Sequence, residues 1–512
     1  MSRAPAIQVA FVTAVIAGLA LVEWHWGWPY TPDSGAYLET ARNLLTGKGF
    51  LLAADGTSCE WWQPVALFPG GFAALTAVGA LLSGVDVEST GPVMVFAAWL
   101  LLLPALGWAL SPLLGRQWAL VVGGLAVLSP GAHWMGVHML SDMLFLLAVV
   151  AGFGCWLRGV PEGRLGWWFA TGSLVGLAVW LRNAGIGVVA AYLLTFVLQA
   201  ARGSVTSKAW WLQWGTFWLA SALVYGPWLV RNLLVFGEIQ PYSMPPSTIP
   251  LDTNLRILLQ EWGAELFGHR IGRYVAWGWP EFLGAAALLA AVISAGIHKW
   301  HRRPAEKRDA AALWWLASYA LLGSVLTVYA RSIYEWGEPV GARHVAQLAW
   351  TLLALAAWAV SGTKRRGRRL VAGVVLTMLA ARLFSAGAHV MDTVQMHEHV
   401  SEAGILQDRQ PDGPIARAQR RRLCAAEIEH AGIAEQLGDN ALLLSNDPSV
   451  FRVLGGFHVR ALVPEQWSAL RSCGRQMYVA ALASRPFNAS VLHNAEAPLL
   501  YNGRCLKLWE GG

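Results

Sequence analysis

Residues 26–50 read WGWPYTPDSGAYLETARNLLTGKGF and follow directly on Ala6–Val22, an apolar segment long enough to cross a bilayer as a helix. Within the quoted stretch, Asp33 precedes apolar residues at Tyr37, Leu38, Ala41, Leu44 and Leu45. That is the recurrence of one helical face, and Gly47 stands where a helix commonly ends. The spacing predicts a short amphipathic helix with Asp33 as its N-cap, a role that stabilises a helix by ~1 kcal/mol. Capping alone does not explain why an acidic, tyrosine-bearing helix should stand immediately outside a first span.

The composition places that helix in a membrane protein. The chain has 512 residues, 55% hydrophobic and 13% charged, with a mean hydropathy of +0.44, whereas soluble domains carry about 25% charged residues. Windows such as Val93–Leu110, Ala310–Ala330 and Leu370–Ala388 hold at most one charge over transmembrane length. The fold class is therefore mainly α, polytopic and transmembrane. Many of the 29 tryptophans fall near window ends (Trp24, Trp26, Trp28; Trp61, Trp62; Trp167, Trp168; Trp210, Trp211). Indoles favour the headgroup region, so an aromatic belt accounts for them, with stacking on a sugar as the other use. The net charge of +7 is concentrated in HKWHRRPAEKR (298–308) and KRRGRR (364–369), short runs between apolar spans. They read as cytoplasmic positive-inside loops whose partner is anionic lipid rather than nucleic acid.

With those loops inside, about eleven spans follow, at roughly 6–24, 90–112, 117–133, 139–157, 165–181, 184–200, 210–230, 281–298, 310–330, 344–361 and 370–390. Segment 68–84 is Gly-rich and follows Pro69, and is expected to lie on the outer surface. Inner loops then carry Arg3, Arg116, Arg158, Arg164, Arg202 and Lys208, against Arg182, Arg331 and Arg343 outside. This puts the N-terminus in, the C-terminus out, and the functional face on the periplasmic or outer side of the inner (plasma) membrane. The chain runs from the first span into LVEWHWGW without a small-residue cleavage site, so an uncleaved span is expected.

The expected organisation is a membrane core, 1–390, with a first outer loop at 24–89, and an extracytoplasmic α/β domain at 391–512. In the latter, NALLLSNDPSVFRVLGGFHVRALVP reads strand–turn–helix–strand. Of the five cysteines, Cys155 falls in a span and Cys59, Cys424, Cys473 and Cys505 outside; Cys473 and Cys505 are a candidate bridge in an oxidising compartment. No Cys/His spacing indicates zinc, and His397-Glu398-His399 reads as a solvated hinge.

Several motifs carry a resemblance. PDSGAYLETARNLLTGKGF followed by WWQPVALFPGGFAAL resembles the first outer loop of the GT-C glycosyltransferases, in particular protein O-mannosyltransferases and lipid A aminoarabinose transferases. Asp33, Tyr37, Ala41, Arg42, Asn43, Leu44, Leu45 and Gly47 match that superfamily's D-x-x-x-Y-x-x-x-A-R-N-L-L-x-G pattern. HMLSDMLFLLAVVAGF resembles the run opening its fourth span, with Asp142 at the acidic position. LVGLAVWLRNAGIGVVAAYLL, YGPWLVRNLLVFGEIQPYS and SNDPSVFRVLGG resemble later segments in the same order. The chain departs at Ser34, where mannosyl- and aminoarabinosyl-type relatives usually carry a second acid.

The resemblance implies a polyprenyl-phosphate-linked sugar as donor and inverting transfer to a hydroxyl of a lipid, glycan or protein. Such transfer needs a base for the acceptor proton and a cationic cradle for the departing phosphate. Asp33 is the candidate base, expected under outer loops whose burial would raise its pKa. Asp142 is the second carboxylate, orienting the base or holding a divalent metal such as Mg or Mn with His138; otherwise it shares the N-cap of the fourth span with Ser141. Arg182, Arg231, Arg331 and Arg343 are candidates for the lipid phosphate, with Arg231 and Arg343 foremost, or snorkel to headgroups. Tyr37 and Arg42 carry over as substrate-binding residues. His133 and His138 bracket the turn before Asp142 and either bind metal with it or hydrogen-bond at the interface. A transporter or lipid flippase, or a non-catalytic relative assisting polysaccharide assembly, are the competing readings. No nucleotide-binding loop is visible in the short inner loops.

Overall fold

The computed structural model describes residues 12–19, 21, 30–54, 60–66, 68–201, 207–241, 245–267, 307–334, 340–361, 373–388, 391, 421, 424–437, 441–455, 457–461, 470, 476–482, 499–502 and 506–511. The amphipathic helix predicted from the opening motif is α1, Pro32–Leu45, but Asp33 does not cap it. Thr31 does: its hydroxyl accepts from the Ser34 amide at 3.2 Å, and the Ser34 hydroxyl accepts from the Thr31 amide at 3.0 Å. Pro32 fills the first helical position, where no N–H is needed, and leaves Asp33 exposed at the second. Gly47 takes the left-handed turn after the helix, with φ +76°. An antiparallel hairpin follows, β1 (Leu51–Ala53) with β2 (Trp62–Pro64), an element the sequence did not announce.

Helix α2, Gly71–Ser83, falls in the segment expected to lie on the outer surface; it packs on α1 and leaves Leu81 and Leu82 exposed. The bundle proper begins with α3, Val87–Leu114, capped by Asp86, which accepts from the Ser89 amide at 2.6 Å. The expected span over 117–133 is not one straight helix. It is broken into α4 (Arg116–Val127) and α5 (Pro130–Val137), bent by 64°. Pro130 disfavours helical backbone at Ser129, which turns out of α4 and caps α5 instead. His133 therefore lies in α5, with His138 as its C-cap.

Five further helices cover segments expected as spans: α6 (Asp142–Glu162), α7 (Leu165–Leu181), α8 (Gly185–Ala201), α9 (Lys208–Phe236) and, after α10 (Leu251–Phe267), α11 (Lys307–Ile333). Then come α12 (Ala342–Val360) and α13 (Gly373–Ala388). Among the described residues, four helices are long and apolar enough to cross a membrane, or five counting the bent pair as one span. The expected span over 281–298 lies outside the described residues. Helices α7 and α9 touch through Gly172 and Gly176. A Cβ there would lie 2.1 Å from the Phe217 carbonyl oxygen and 2.6 Å from that of Ser221, so only glycine allows the approach. Leu219, Leu223, Val230 and Leu234 of α9 face outward, as lipid-facing residues do.

The C-terminal part folds as the strand–turn–helix–strand reading predicts: β3 (Ala441–Ser445), α15 (Pro448–Leu454, after the short α14 at Ile433–Leu437) and β4 (His458–Ala461), the two strands parallel. Strand β5 (Gln476–Leu482) pairs parallel on the other side of β3. The antiparallel β6 (Leu499–Asn502) and β7 (Leu506–Gly511) complete the order β4-β3-β5-β7-β6. Cys155 is free and buried; Cys424 is disulfide-bonded, while Cys473, Cys505 and His397–His399 lie outside the described residues.

This α/β part sits on the first loop through named contacts. Arg42 pairs with Glu88 and donates to the carbonyls of Arg452 (2.6 Å) and Val453. Arg452 approaches the buried Glu39 at 3.6 Å, and Arg421, paired with Asp447 at 2.8 Å, reaches the Tyr30 carbonyl. His458 stacks on Trp61 with ring centroids 4.0 Å apart. Gly455, at φ +74°, turns beneath Arg42: a Cβ there would lie 2.9 Å from the guanidinium carbon. Arg42→Ala is expected to cost about 2 kcal/mol and Gly455→Ala about 1–3 kcal/mol. Because both disturb one contact, the double variant should cost less than their sum, which thermal unfolding of the four proteins in detergent checks.

Candidate functional site

One end of the bundle is built around the short connection from α5 to α6. Ser34, buried in the first turn of α1, donates to the Met139 carbonyl at 2.8 Å and so fixes α1 over this connection. A carboxylate at position 34 has no proton to donate to a carbonyl, so a serine and not an acid makes this contact. One helical turn on, the Tyr37 hydroxyl lies 3.4 Å from the Ser141 hydroxyl, and the ring sits edge-on against Phe68 and Phe72. Burial first, and then the charge of Asp33, push the Tyr37 phenol well above its ordinary range. Asp33, Asp142 and Arg182 all lie within electrostatic reach of this hydroxyl.

Asp142 begins α6 and is fully buried. Neither it nor Ser141 makes a side-chain cap there. Its Oδ2 accepts from Arg182 Nη1 at 2.5 Å, and its Oδ1 from Gln347 Nε2 at 2.7 Å. Arg182 leaves the end of α7 in extended backbone, which turns its side chain back over α6. On the next wall, Arg331 at the end of α11 is buried with an Nη2 2.8 Å from His344 Nε2, while the Gly341 amide donates to His344 Nδ1 at 3.0 Å. The charges of Arg331, Arg343 and Arg182 all act on His344. Arg343 lies over the Trp134 ring at 5.4 Å.

Five predicted residues thus share one end of the bundle with Asp33: Tyr37, Asp142, Arg182, Arg331 and Arg343. Two do not join them. Arg42 is committed to Glu88 and the α15 carbonyls. Arg231 donates to the carbonyls of Val65 (2.6 Å) and Phe50 (3.2 Å) and lies over Trp228, fastening the first loop to α9. The proposed metal pairing of Asp142 with His138 is not assembled. A guanidinium and an amide hold both Asp142 oxygens, and a cation beside Arg182 would be repelled. His138 Nδ1 lies 2.8 Å from the Trp134 carbonyl and its ring stacks on Trp134. Among the described residues, no group of three or more His, Cys, Asp or Glu side chains is placed to hold a metal ion. Asp33, expected under outer loops, is exposed.

Sequence reasoning passed over His344 and Gln347. With Thr351 they form a buried polar stripe at i, i+3 and i+7 along an otherwise apolar helix, a signal of function inside a membrane. It also passed over Glu265 on α10. This buried carboxyl accepts from the Gly131 amide at the start of α5 at 2.6 Å, while Arg382 of α13 donates to the Glu265 backbone carbonyl at 2.6 Å. Glu265 thereby clamps α10 against the beginning of α12, since Gly131 also abuts the Ala342 carbonyl.

Solved structures share this architecture. ArnT from Cupriavidus metallidurans in the apo state superposes over 98% of this chain and 97% of its own, with TM-score 0.62 and 14% identity. The same protein bound to undecaprenyl phosphate gives 0.60 at the same identity and coverage. The Archaeoglobus fulgidus oligosaccharyltransferase, in complex with zinc and sulfate, matches over 93% of this chain and 68% of its own, with TM-score 0.57 and 13% identity. The chain has the GT-C fold. No protein-family profile matches it. In sequence, the GT-C chain is 28% identical over 216 residues to the apolipoprotein N-acyltransferase of Verminephrobacter eiseniae, a match spanning 41% of this chain and 38% of that protein.

Glu265 gives the GT-C core a pH-dependent stability. Burial raises its carboxyl to about 7, partly offset by Ser129, Arg382 and the Gly131 amide. An unfolded glutamate titrates near 4.5, so folding takes up a proton between the two values. The folded state is favoured most below the lower value and loses that advantage as pH rises towards 7. Glu265→Gln keeps an acceptor for the Gly131 amide and does not titrate. Relative to the parent, it should gain about 3 kcal/mol between pH 4.5 and 7 and nothing beyond, as read from thermal unfolding across pH.

Proposed function

We propose that the chain is an integral-membrane glycosyltransferase that moves a sugar from a polyprenyl-phosphate carrier to an acceptor hydroxyl on the outer face of the inner membrane. The observation that carries this reading is the convergence of an exposed acid, Asp33, with three arginines of three different helix ends, Arg182, Arg331 and Arg343, at one end of a GT-C bundle. The superposition on ArnT bound to undecaprenyl phosphate supports the lipid carrier.

Chemistry at His344 favours an anion there. A neutral imidazole offers one lone pair, yet the Gly341 amide and the Arg331 guanidinium, which has only donors, approach its two nitrogens. With three guanidinium charges acting on this imidazole, the cluster is strongly cationic, which suits a phosphate oxygen.

In the reaction, the Asp33 carboxylate takes the proton of the acceptor hydroxyl as its oxygen bonds to the anomeric carbon from the face opposite the phosphate. The bond from that carbon to the phosphate oxygen breaks, and the polyprenyl phosphate leaves with its new charge held by the arginines. Inversion follows from the single displacement. Tyr37, hydrogen-bonded through Ser141 and kept protonated by its surroundings, borders the path between acid and arginines. The sugar is a hexose or pentose, and the acceptor a lipid, glycan or protein hydroxyl. The division into a membrane core, 1–390, and an outer domain, 391–512, with the N-terminus inside, belongs to the same reading. The arginine of α1 and that of α9 act by holding the first loop and the α/β part in place.

A transporter would use the same cations but transfer nothing, and a non-catalytic relative would bind the carrier without turnover. A sugar-transfer assay in nanodiscs, with polyprenyl-phosphate sugars and envelope lipid as acceptor, separates these. Asp33→Asn should lower turnover about 10²–10⁴-fold with carrier binding retained, and Arg343→Ala should raise the KM for carrier more than it lowers kcat. Equal turnover by Asp33→Asn and the parent would contradict the assignment of the base.

A further inference from the structure

We infer that Gln347 is a positioning residue for the transfer site: its side-chain amide donates to Asp142 and keeps that carboxyl aligned, so that Asp142 holds Arg182 towards the cluster at His344. This rests on the reading of that end of the bundle as the carrier-phosphate site.

Asp142 is fully buried, and an ionised carboxylate there must be matched by donors on both oxygens. Arg182 supplies one and Gln347 the other. The amide orientation is fixed by chemistry: a carboxylate only accepts, so the NH2 group of Gln347 faces it. The same nitrogen lies 3.9 Å from the Met135 sulfur. The Trp350 indole donates to the Gln347 backbone carbonyl, so the position is braced within α12. Both Asp142 oxygens being occupied, its carboxylate serves to aim Arg182 rather than to accept a substrate proton. Arg182 Nη1 is spent on Asp142, while its charge is felt by Tyr319 on α11 and His344 on α12. Without the Gln347 donor, Oδ1 loses its partner and the anchor of Arg182 weakens.

Glutamate at 347 makes a test that a purely structural role would not pass. Two carboxyls facing each other at this distance share one proton, and only the protonated pair reproduces the donor. Arg182 from α7 and Tyr37 from α1 stand beside Asp142; Tyr319 from α11 and His344 on α12 are within reach of Arg182, Asp33 is within reach of Tyr37, and Arg331 from α11 contacts His344. None of these is altered in Gln347→Glu.

The experiment titrates the full chain in nanodiscs with undecaprenyl phosphate from pH 5 to 9, following thermal stabilisation, for the parent, Gln347→Glu and Gln347→Met. Infrared spectra of Gln347→Glu, and of Gln347→Glu combined with Asp142→Asn, are recorded alongside. Gln347→Met should bind the carrier about tenfold more weakly at every pH. Gln347→Glu should bind like the parent at low pH and lose about tenfold as the pH rises, along a one-proton curve. A protonated-carboxyl band should disappear over the same range and titrate differently once Asp142 is replaced. Parental binding by Gln347→Glu at all pH values, or equal loss at all of them, overturns the positioning role. No binding by the folded parent overturns the carrier-phosphate reading itself, whatever the infrared band does.

Discussion

A carboxylate sealed inside a membrane protein needs donors on its oxygens, and that constraint organises one end of this molecule. Asp142 is held from one side by Arg182 and from the other by Gln347, so α6, α7 and α12 are bound into one frame. Helix α1 is fastened onto the same frame by a neutral contact, Ser34 on the Met139 carbonyl. Substituting a second acid for Ser34 would bring another negative charge towards Asp142 and give up the contact that holds α1 down. The departure from the usual pattern is thus coherent with the rest of the site.

The arginines divide by what already fills them. Arg42 and Arg231 are surrounded by carbonyls and a carboxylate of this chain, and their work is to dock the first loop and the α/β part. The charges of Arg182, Arg331 and Arg343 all act on a single imidazole, His344, which Arg331 also contacts. They come from three different helix ends, so three charges act on one place without crowding their backbones together. A departing phosphate needs such a cradle, preformed where charge will develop.

Much of this was legible in the sequence, because apolar length and the opening motif report directly on membrane helices and on the face of α1. The strand–turn–helix–strand run around SNDPS was equally plain from its alternating apolar runs and turn residues. What escaped were choices made by tertiary contact. Asp33 looked like a cap because nothing local distinguishes it from Thr31 one proline earlier. Arg231 looked like a phosphate ligand because its partners, Val65 and Phe50, are backbone carbonyls far away in sequence. The break at Pro130 was readable, but an apolar run masked it. Gln347 and His344 were invisible as partners, although their spacing on one face of α12 marked them as polar residues with a purpose.

The central claim is that the three arginines form the seat of a lipid-linked phosphate. The most direct measurement is an electron cryo-microscopy structure of the protein in nanodiscs saturated with undecaprenyl phosphate. The account predicts phosphate density among Arg182, Arg331 and Arg343, within hydrogen-bonding distance of at least two of them, with the lipid tail leaving between spans. Phosphate density against Arg231 or Arg42 instead, or an arginine cluster unchanged and without density at saturation, would contradict it.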